Sequence, residues 1–261
     1  MVACGGGPRE TQGRVTFSRS GDIYVVRTDG SGERRLTRSR ARDIAPTASP
    51  DGRRIAFASD RDGKLDVYVM GARGAAVRRL TRKGSNAFPA WSPDGKRIVF
   101  VSDRDGNLEL YVMNAEGTGQ TRLTRNPGVD GSPAWSHDGH AIACGCERGD
   151  NFDIYLLTTH GEEANRLTRD DAIEADPAWS LDGLEIAYER KVEGGSEIYL
   201  VGREAGEHRR LTSGGDPAWS PDARTIAFVR DGDIYLIDPD GRRLRRLTRG
   251  PGNDEFPGWL P

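Results

Sequence analysis

Several things are scarce in this chain, and each scarcity removes a class of protein. Its 261 residues hold three Cys: Cys4, Cys144 and Cys146. An odd number with one close pair is not the framework of a disulfide-stapled small domain. A bond between Cys144 and Cys146 is conceivable, but two residues on one strand face stand about 6.5 Å apart with parallel side chains, which argues against it. No stretch approaches the roughly 18 consecutive apolar residues of a membrane-spanning helix. Lys and Arg number 38 against 40 Asp and Glu, so the basic excess that a nucleic-acid partner requires is missing. There are four His, no Gly-x-Ser-x-Gly elbow and no glycine-rich phosphate loop opening a helix. What is plentiful is turn formers, 34 Gly and 14 Pro, beside 35% hydrophobic residues. That mixture is too apolar for a disordered chain and too turn-rich for a helical one.

The first residues, Met1-Val2-Ala3-Cys4 followed by three Gly, resemble the end of a bacterial lipoprotein signal, without the apolar stretch that precedes one. Residues 1–12 are therefore expected to be either a tether lipidated at Cys4 or a disordered stub, and the fold is expected in 13–261.

Those residues repeat. The five Trp stand at 91, 135, 179, 219 and 259, spaced 44, 44, 40 and 40 residues apart, and Ala48 holds the same place 43 residues before Trp91. A Ser-x-Asp turn follows at Ser49, Ser92, Ser136, Ser180 and Ser220, and Asp-Gly favours the tight connection of antiparallel strands. Next comes a short apolar strand such as Ile55-Ala56-Phe57, then an acidic-apolar-Tyr strand in six copies, and each copy closes on Arg-Leu-Thr. Four short strands per repeat of about 40 to 44 residues make a propeller blade. The chain opens on a second strand, Val15 to Phe17, and ends on an unpaired Trp259 strand. The fold is thus expected to be all-β: six four-stranded antiparallel blades, the ring closed by the C-terminal strand completing the first blade from inside.

The succession Pro-Ala-Trp-Ser-Pro-Asp-Gly, Ile-Val-Phe, Ser-Asp-Arg-Asp-Gly (102–106), Leu110 to Asn114 and Arg-Leu-Thr is very similar to the repeat of the TolB-like propellers, over residues 14 to 260. The resemblance implies a docking platform of the cell envelope. The family's Tol–Pal member carries a separate N-terminal α/β domain with no counterpart here, so a complete role in that system is not implied. Other relatives serve as non-catalytic domains of serine peptidases or, with His-rich centres, as oligogalacturonide lyases.

Candidate ligand-binding residues precede each innermost strand. Counting three residues back from the repeat Pro gives Asp43, Asn86, Asp130, Glu174 and Asp254, and the shorter fifth repeat offers Asp216 beside Pro217. Such a ring of oxygens at the channel mouth could hold a hard cation such as Ca²⁺ or attract a basic peptide; equally, these residues could cap turns. The Ser-Asp-Arg-Asp-Gly segments read as hairpin turns. The acidic residue before each repeat Tyr and the Arg of each Arg-Leu-Thr read as cross-strand pairs. His137, His140, Cys144 and Cys146 are zinc-type residues, but a strand rise of about 3.3 Å per residue puts Cys146 roughly 20 Å from His140. The expectation is a monomeric, non-catalytic binding module of the bacterial envelope, periplasmic or extracellular. It would dock a protein or peptide partner at the channel mouth, with Ca²⁺ as a candidate ligand and no nucleic acid. The alternative is a carbohydrate lyase or hydrolase using the channel.

Overall fold

The computed structural model describes residues 13–149 and 151–261; Cys4 and the rest of 1–12 lie outside the described residues. Among the described residues, twenty-four strands form six four-stranded antiparallel sheets. In blade 1 the order from the inside is Asp254–Leu260, Arg14–Arg19, Asp22–Arg27 and Arg34–Arg35. Its innermost strand therefore comes from the far end of the sequence. Blades 2 to 6 follow in chain order from inner strands Asp43–Ala48, Asn86–Trp91, Asp130–Trp135, Glu174–Trp179 and Gly215–Trp219. The closure expected from the unpaired Trp259 strand is present: Arg14 pairs with Leu260 and Arg19 with Asp254.

Each sheet is covered on both faces by its neighbours, which explains why the second strands are apolar without alternating. In Arg54–Ser59 every residue after Arg54 is buried. The core is correspondingly divided among the seams between blades. One cluster joins Val67, Val69 and Leu80 of blade 2 to Trp91, Phe100 and Tyr111 of blade 3. Another joins Ile234 and Leu236 of blade 6 to Val15 and Phe17 of blade 1.

The recurrent acid and the recurrent Arg-Leu-Thr form one polar knot per blade. The pairs are Arg35–Asp22, Arg79–Asp66, Arg122–Glu109, Arg166–Asp153, Arg210–Glu197 and Arg246–Asp233. In five blades the Thr hydroxyl also accepts the N–H that follows the acid, as Thr81 Oγ1 does from Val67 at 2.9 Å. The outermost strand is only two residues long in four blades, so backbone pairing alone holds it weakly and the ion pair fastens it. The Ser-x-Asp turns are likewise self-bonded, Ser Oγ donating to the Asp carboxylate at 2.6 Å in all five copies.

The Cys pair departs from expectation. Cys144 and Cys146 form a disulfide. Their Cα atoms are 5.7 Å apart, closer than in a fully extended strand, and the residue between them is Gly145. A Cβ there would stand 2.6 Å from the Phe152 ring, so this position takes no side chain. The shortened spacing brings together two sulfurs that an ideal strand would hold parallel and apart.

The knots set a contrast in stability. Asp66 is fully buried and accepts hydrogen bonds from Arg79, from Thr81 Oγ1 at 2.6 Å and from Asn86 Nδ2 at 2.9 Å. Asp66→Ala strands all three and is expected to lower the unfolding free energy by about 3–5 kcal/mol in urea titrations. Arg242→Ala, on an exposed turn, should stay within about 0.5 kcal/mol.

Candidate functional site

The inner strands neighbour one another around the axis, so whatever they turn inward lines the central channel. Each pairs with its second strand across a register shift, for example between Ile44 and Thr47 and between Ala175 and Ala178. The repeat Pro lies inside the shift, where its missing N–H costs no ladder bond. The residue before that Pro has a positive φ in all six blades: Ala45, Phe88, Ser132, Asp176, Asp216 and Phe256, between 47° and 52°. For non-glycine residues this costs about 1–2 kcal/mol each, and its repetition marks it as a requirement of the fold.

These six residues meet across the channel. Ser132 Oγ donates to Asp176 Oδ1 at 2.5 Å, and the Phe256 N–H donates to Asp216 Oδ2 at 3.2 Å. The Phe88 and Phe256 rings meet edge to face with centroids 5.7 Å apart. The ring is split: Phe256, Ala45 and Phe88 form an apolar arc, and Ser132, Asp176 and Asp216 a polar one.

A third carboxylate joins the polar arc from the second strand of blade 5. Glu189 stands where the other blades carry Ser18, Ala58, Val101, Gly145 and Val229. It fits because the facing residue is Gly215, where a Cβ would stand 2.3 Å from Glu189 Oε2. Glu189 accepts hydrogen bonds from Lys191 Nζ, from Ser196 Oγ at 2.6 Å and from the Asp216 N–H at 3.0 Å. Carboxylate oxygens of Asp176, Glu189 and Asp216 lie within 4.8 Å of one another.

Three carboxyls so close do not ionise alike. Burial, then the charges of Asp176 and Glu189, push Asp216 up to about 7. Burial also raises Asp176, against the hydrogen bond from Ser132. For Glu189 burial acts upward, but Lys191, Ser196 and the Asp216 N–H outweigh it and hold it below its ordinary value. The arc thus combines one fixed negative charge with groups that retain a proton toward neutral pH. The fixed charge, on Glu189, is matched by Lys191.

The six residues expected at the channel mouth fall into two sets. Asp43, Asn86, Asp130, Glu174 and Asp254 begin the inner strands and are essentially fully buried. Four of them meet an arginine: Asp43 with Arg61 at 2.9 Å, Asn86 Oδ1 with Arg104 at 2.8 Å, Asp130 with Arg148 at 2.6 Å and Asp254 with Arg19 at 2.5 Å. Arg61, Arg104 and Arg19 also lie over the aromatic pair of their blade's middle strands. Glu174 differs: Arg190, at the register position of Arg19, pairs with Asp170 at 2.7 Å. Both Glu174 oxygens lack a hydrogen-bond partner, and burial pushes its pKa up to about 8. Asp216 belongs to the other set, since it immediately precedes Pro217 and matches Asp176. Sequence counting missed Asp176, Glu189, Phe88 and Phe256. The signal for three of them was the residue directly before Pro; for Glu189 it was an acid replacing a small or apolar strand residue.

Fold and channel together define a closed six-bladed propeller with a proline-bulged, channel-lining strand in every blade. The TolB beta propeller domain matches residues 10–88, 82–149 and 131–216, and the chain belongs to that family. It is 43% identical over 56 residues to the protein TolB homolog of Chlorobium luteolum, covering 22% of this chain and 13% of that protein. It is 30% identical over 90 residues to the Tol-Pal system protein TolB of Desulfosudis oleivorans, covering 33% and 20%. The crystal structure of TolB from Acinetobacter baumannii superposes with a TM-score of 0.87 at 25% identity, over 95% of this chain and 67% of that one. The matched segments are thus a minor part of the first two relatives' length.

Glu174 and Asp216 impose a pH dependence. Unfolded, both titrate near about 4; folded, they titrate near 8 and 7. Between those limits the native state binds more protons than the unfolded one, so stability falls as pH rises. Glu174→Gln is expected to flatten that decline and to stabilise the protein at about pH 8.5 by on the order of 1–3 kcal/mol. Urea titrations across the pH range read it, and a wild-type minus variant difference independent of pH would contradict the assignment.

Proposed function

We propose that this propeller is a non-catalytic binding module of the bacterial cell envelope that docks a protein or peptide partner at the channel mouth. The observation that carries the reading is the split channel ring. An acidic arc of Asp176, Asp216 and Glu189 faces an apolar arc of Phe88, Phe256 and Ala45, which suits a segment presenting a basic group beside an apolar one. In the ring counted from the Pro positions, Asp43, Asn86, Asp130 and Asp254 are engaged by arginines. Asp216 is the member of that ring that joins the acidic arc of the channel. The likeness to a Tol-Pal system protein supports an envelope setting, periplasmic or extracellular. No helix among the described residues is long and apolar enough to cross a membrane.

Calcium is the competing occupant of the acidic arc, and one pair of variants separates the two. Asp176→Asn with Asp216→Asn removes two of the arc's three carboxyls at nearly constant shape. Calorimetric titration with purified Tol–Pal system proteins of the same organism is expected to show at least about tenfold weaker binding for the variant. Binding that ignores the substitutions would place docking elsewhere. A melting temperature raised by Ca²⁺ in wild type, unchanged in the variant and reversed by chelator, would assign the arc to the metal instead.

A further inference from the structure

Two of the connections that lead into inner strands are fastened by the side chain four residues ahead of the strand's first acid. In blade 2 Ser39 Oγ donates to Asp43 at 3.2 Å, and in blade 4 Asn126 Nδ2 donates to Asp130 at 2.9 Å. In blade 5 that place is Asp170, ahead of Glu174, and a carboxylate accepts but does not donate. Arg190, on the second strand Glu185–Val192, is placed to serve either acid. It is the cross-strand partner of Glu174, as Arg19 is of Asp254. In blade 1 that register delivers the guanidinium to the inner-strand acid at 2.5 Å. In blade 5 it lies on Asp170 at 2.7 Å, and both oxygens of the fully buried Glu174 are left without a partner.

We propose that Arg190 is a two-position switch. It rests on Asp170 while Glu174 carries a proton and crosses to Glu174 when that proton leaves, which releases the 170–173 connection at the channel mouth. The Asp170 side chain is 45% exposed, so water replaces a departing guanidinium there. Glu174 has no water to turn to, and an ion in a dry interior gains far more from a paired cation than an ion in solvent does. Ionisation of Glu174 therefore reverses the order in which the two acids compete for Arg190.

The other groups around the two acids take over neither role. From the outer strands of blade 4 come Thr168, whose hydroxyl donates to Asp153 at 3.2 Å, and Arg166, which pairs with Asp153 at 2.6 Å. From the second strand of blade 5 comes the Tyr188 phenol, bonded to His208 Nδ1 at 2.8 Å. The Arg190 guanidinium itself lies over the Tyr199 ring, 5.3 Å from its centroid. Burial raises Tyr188 and lowers His208 from their ordinary values, so neither changes charge from neutral to mildly alkaline pH. Glu174 does, since burial with Asp170 beside it brings it to about 8. Released, the connection keeps the Asn151 side chain on the Asp170 carbonyl and the Lys191 N–H on the Ile173 carbonyl, but loses its ion pair. Asp170 then joins Asp171 as a carboxylate without an ion pair among the described residues, beside Ile173, which is 52% exposed. The blade 5 side of the mouth thus gains negative charge and local freedom together. This goes beyond docking at the channel and does not depend on it.

Nuclear magnetic resonance of the full chain across about pH 6 to 10 tests the switch, reading the Glu174 side-chain carboxyl carbon and the Arg190 Nε–H. In the wild type both signals are expected to move with one midpoint. Above it the exchange protection factor of the Lys191 amide, which holds the Ile173 carbonyl, should fall about tenfold. Glu174→Gln should keep the Arg190 signal and that protection at their low-pH values throughout. Asp170→Asn should bring Arg190 onto Glu174 and lower the Glu174 midpoint by at least about two pH units. Asp170→Asn with Arg190→Gln has no cation to deliver and should recover most of that drop. An Arg190 signal that ignores the titration of Glu174 overturns the proposal, and that comparison needs no variant. So does a double variant that titrates like Asp170→Asn alone, or protection that falls equally in Glu174→Gln.

Discussion

Six sheets packed face to face around an axis have no exposed sheet face only when the last meets the first. Here that meeting rests on the pairing of Asp254–Leu260 with Arg14–Arg19. The hydrogen bonds of one short antiparallel pair would be a weak clasp if they stood alone. They are reinforced by the Arg19–Asp254 pair, buried at both partners, and by Leu260, which enters the cluster shared by blades 1 and 2. Arg19 also reaches Glu33 of the outer edge at 2.6 Å, so one side chain ties the innermost strand of blade 1 to its periphery. The same closure leaves blade 1 without a turn between its two innermost strands.

The six blades are most alike where they must be and diverge where they need not be. Every blade keeps the acid–arginine pair of its outer strands, because a short edge strand has little else to hold it. Blades 5 and 6 depart from the pattern at the inner edge. Arg190 serves Asp170 and leaves Glu174 without a partner. The blade 6 entry is built of Gly214 and Gly215, and Glu189 takes the room left at Gly215. Uncompensated carboxyls cost stability. Their concentration on one side of one channel, across two adjacent blades, distinguishes them from random drift of the repeat and makes that side the chemically distinctive part of the molecule.

Much of this was legible in the sequence because repetition amplifies weak signals. One Trp or one Arg-Leu-Thr says little, but six recurrences of the acid, the Tyr and the Arg at fixed offsets predict both the blade count and the cross-strand pairs. The unpaired Trp259 strand likewise predicts the closure. What repetition could not reveal is direction. Asp130 and Ser132 are two residues apart and would share a face in a regular strand, yet the bulge at the Pro turns Ser132 toward the axis and leaves Asp130 buried beside Arg148. Counting from the Pro therefore found a ring, but mixed in Asp216, which belongs to the inner one. The Cys144–Cys146 bond was hidden for a related reason: the Cα atoms stand 5.7 Å apart, short of the ideal strand spacing on which the expectation rested.

The channel's two arcs also constrain each other. Phe256 contributes its ring to the apolar arc, while its N–H donates to Asp216, so the backbone that positions the aromatic also orients the carboxylate. Asp216 in turn offers its own N–H to Glu189, and Glu189 is bound to Lys191 and Ser196 near the tip of the blade 5 hairpin. A chain of contacts thus runs from the C-terminal closing strand, through the carboxylate arc, to a protruding hairpin. The contacts that hold Glu189 below its ordinary value thereby tie the ionisation of the raised Asp216 to the tip of that hairpin.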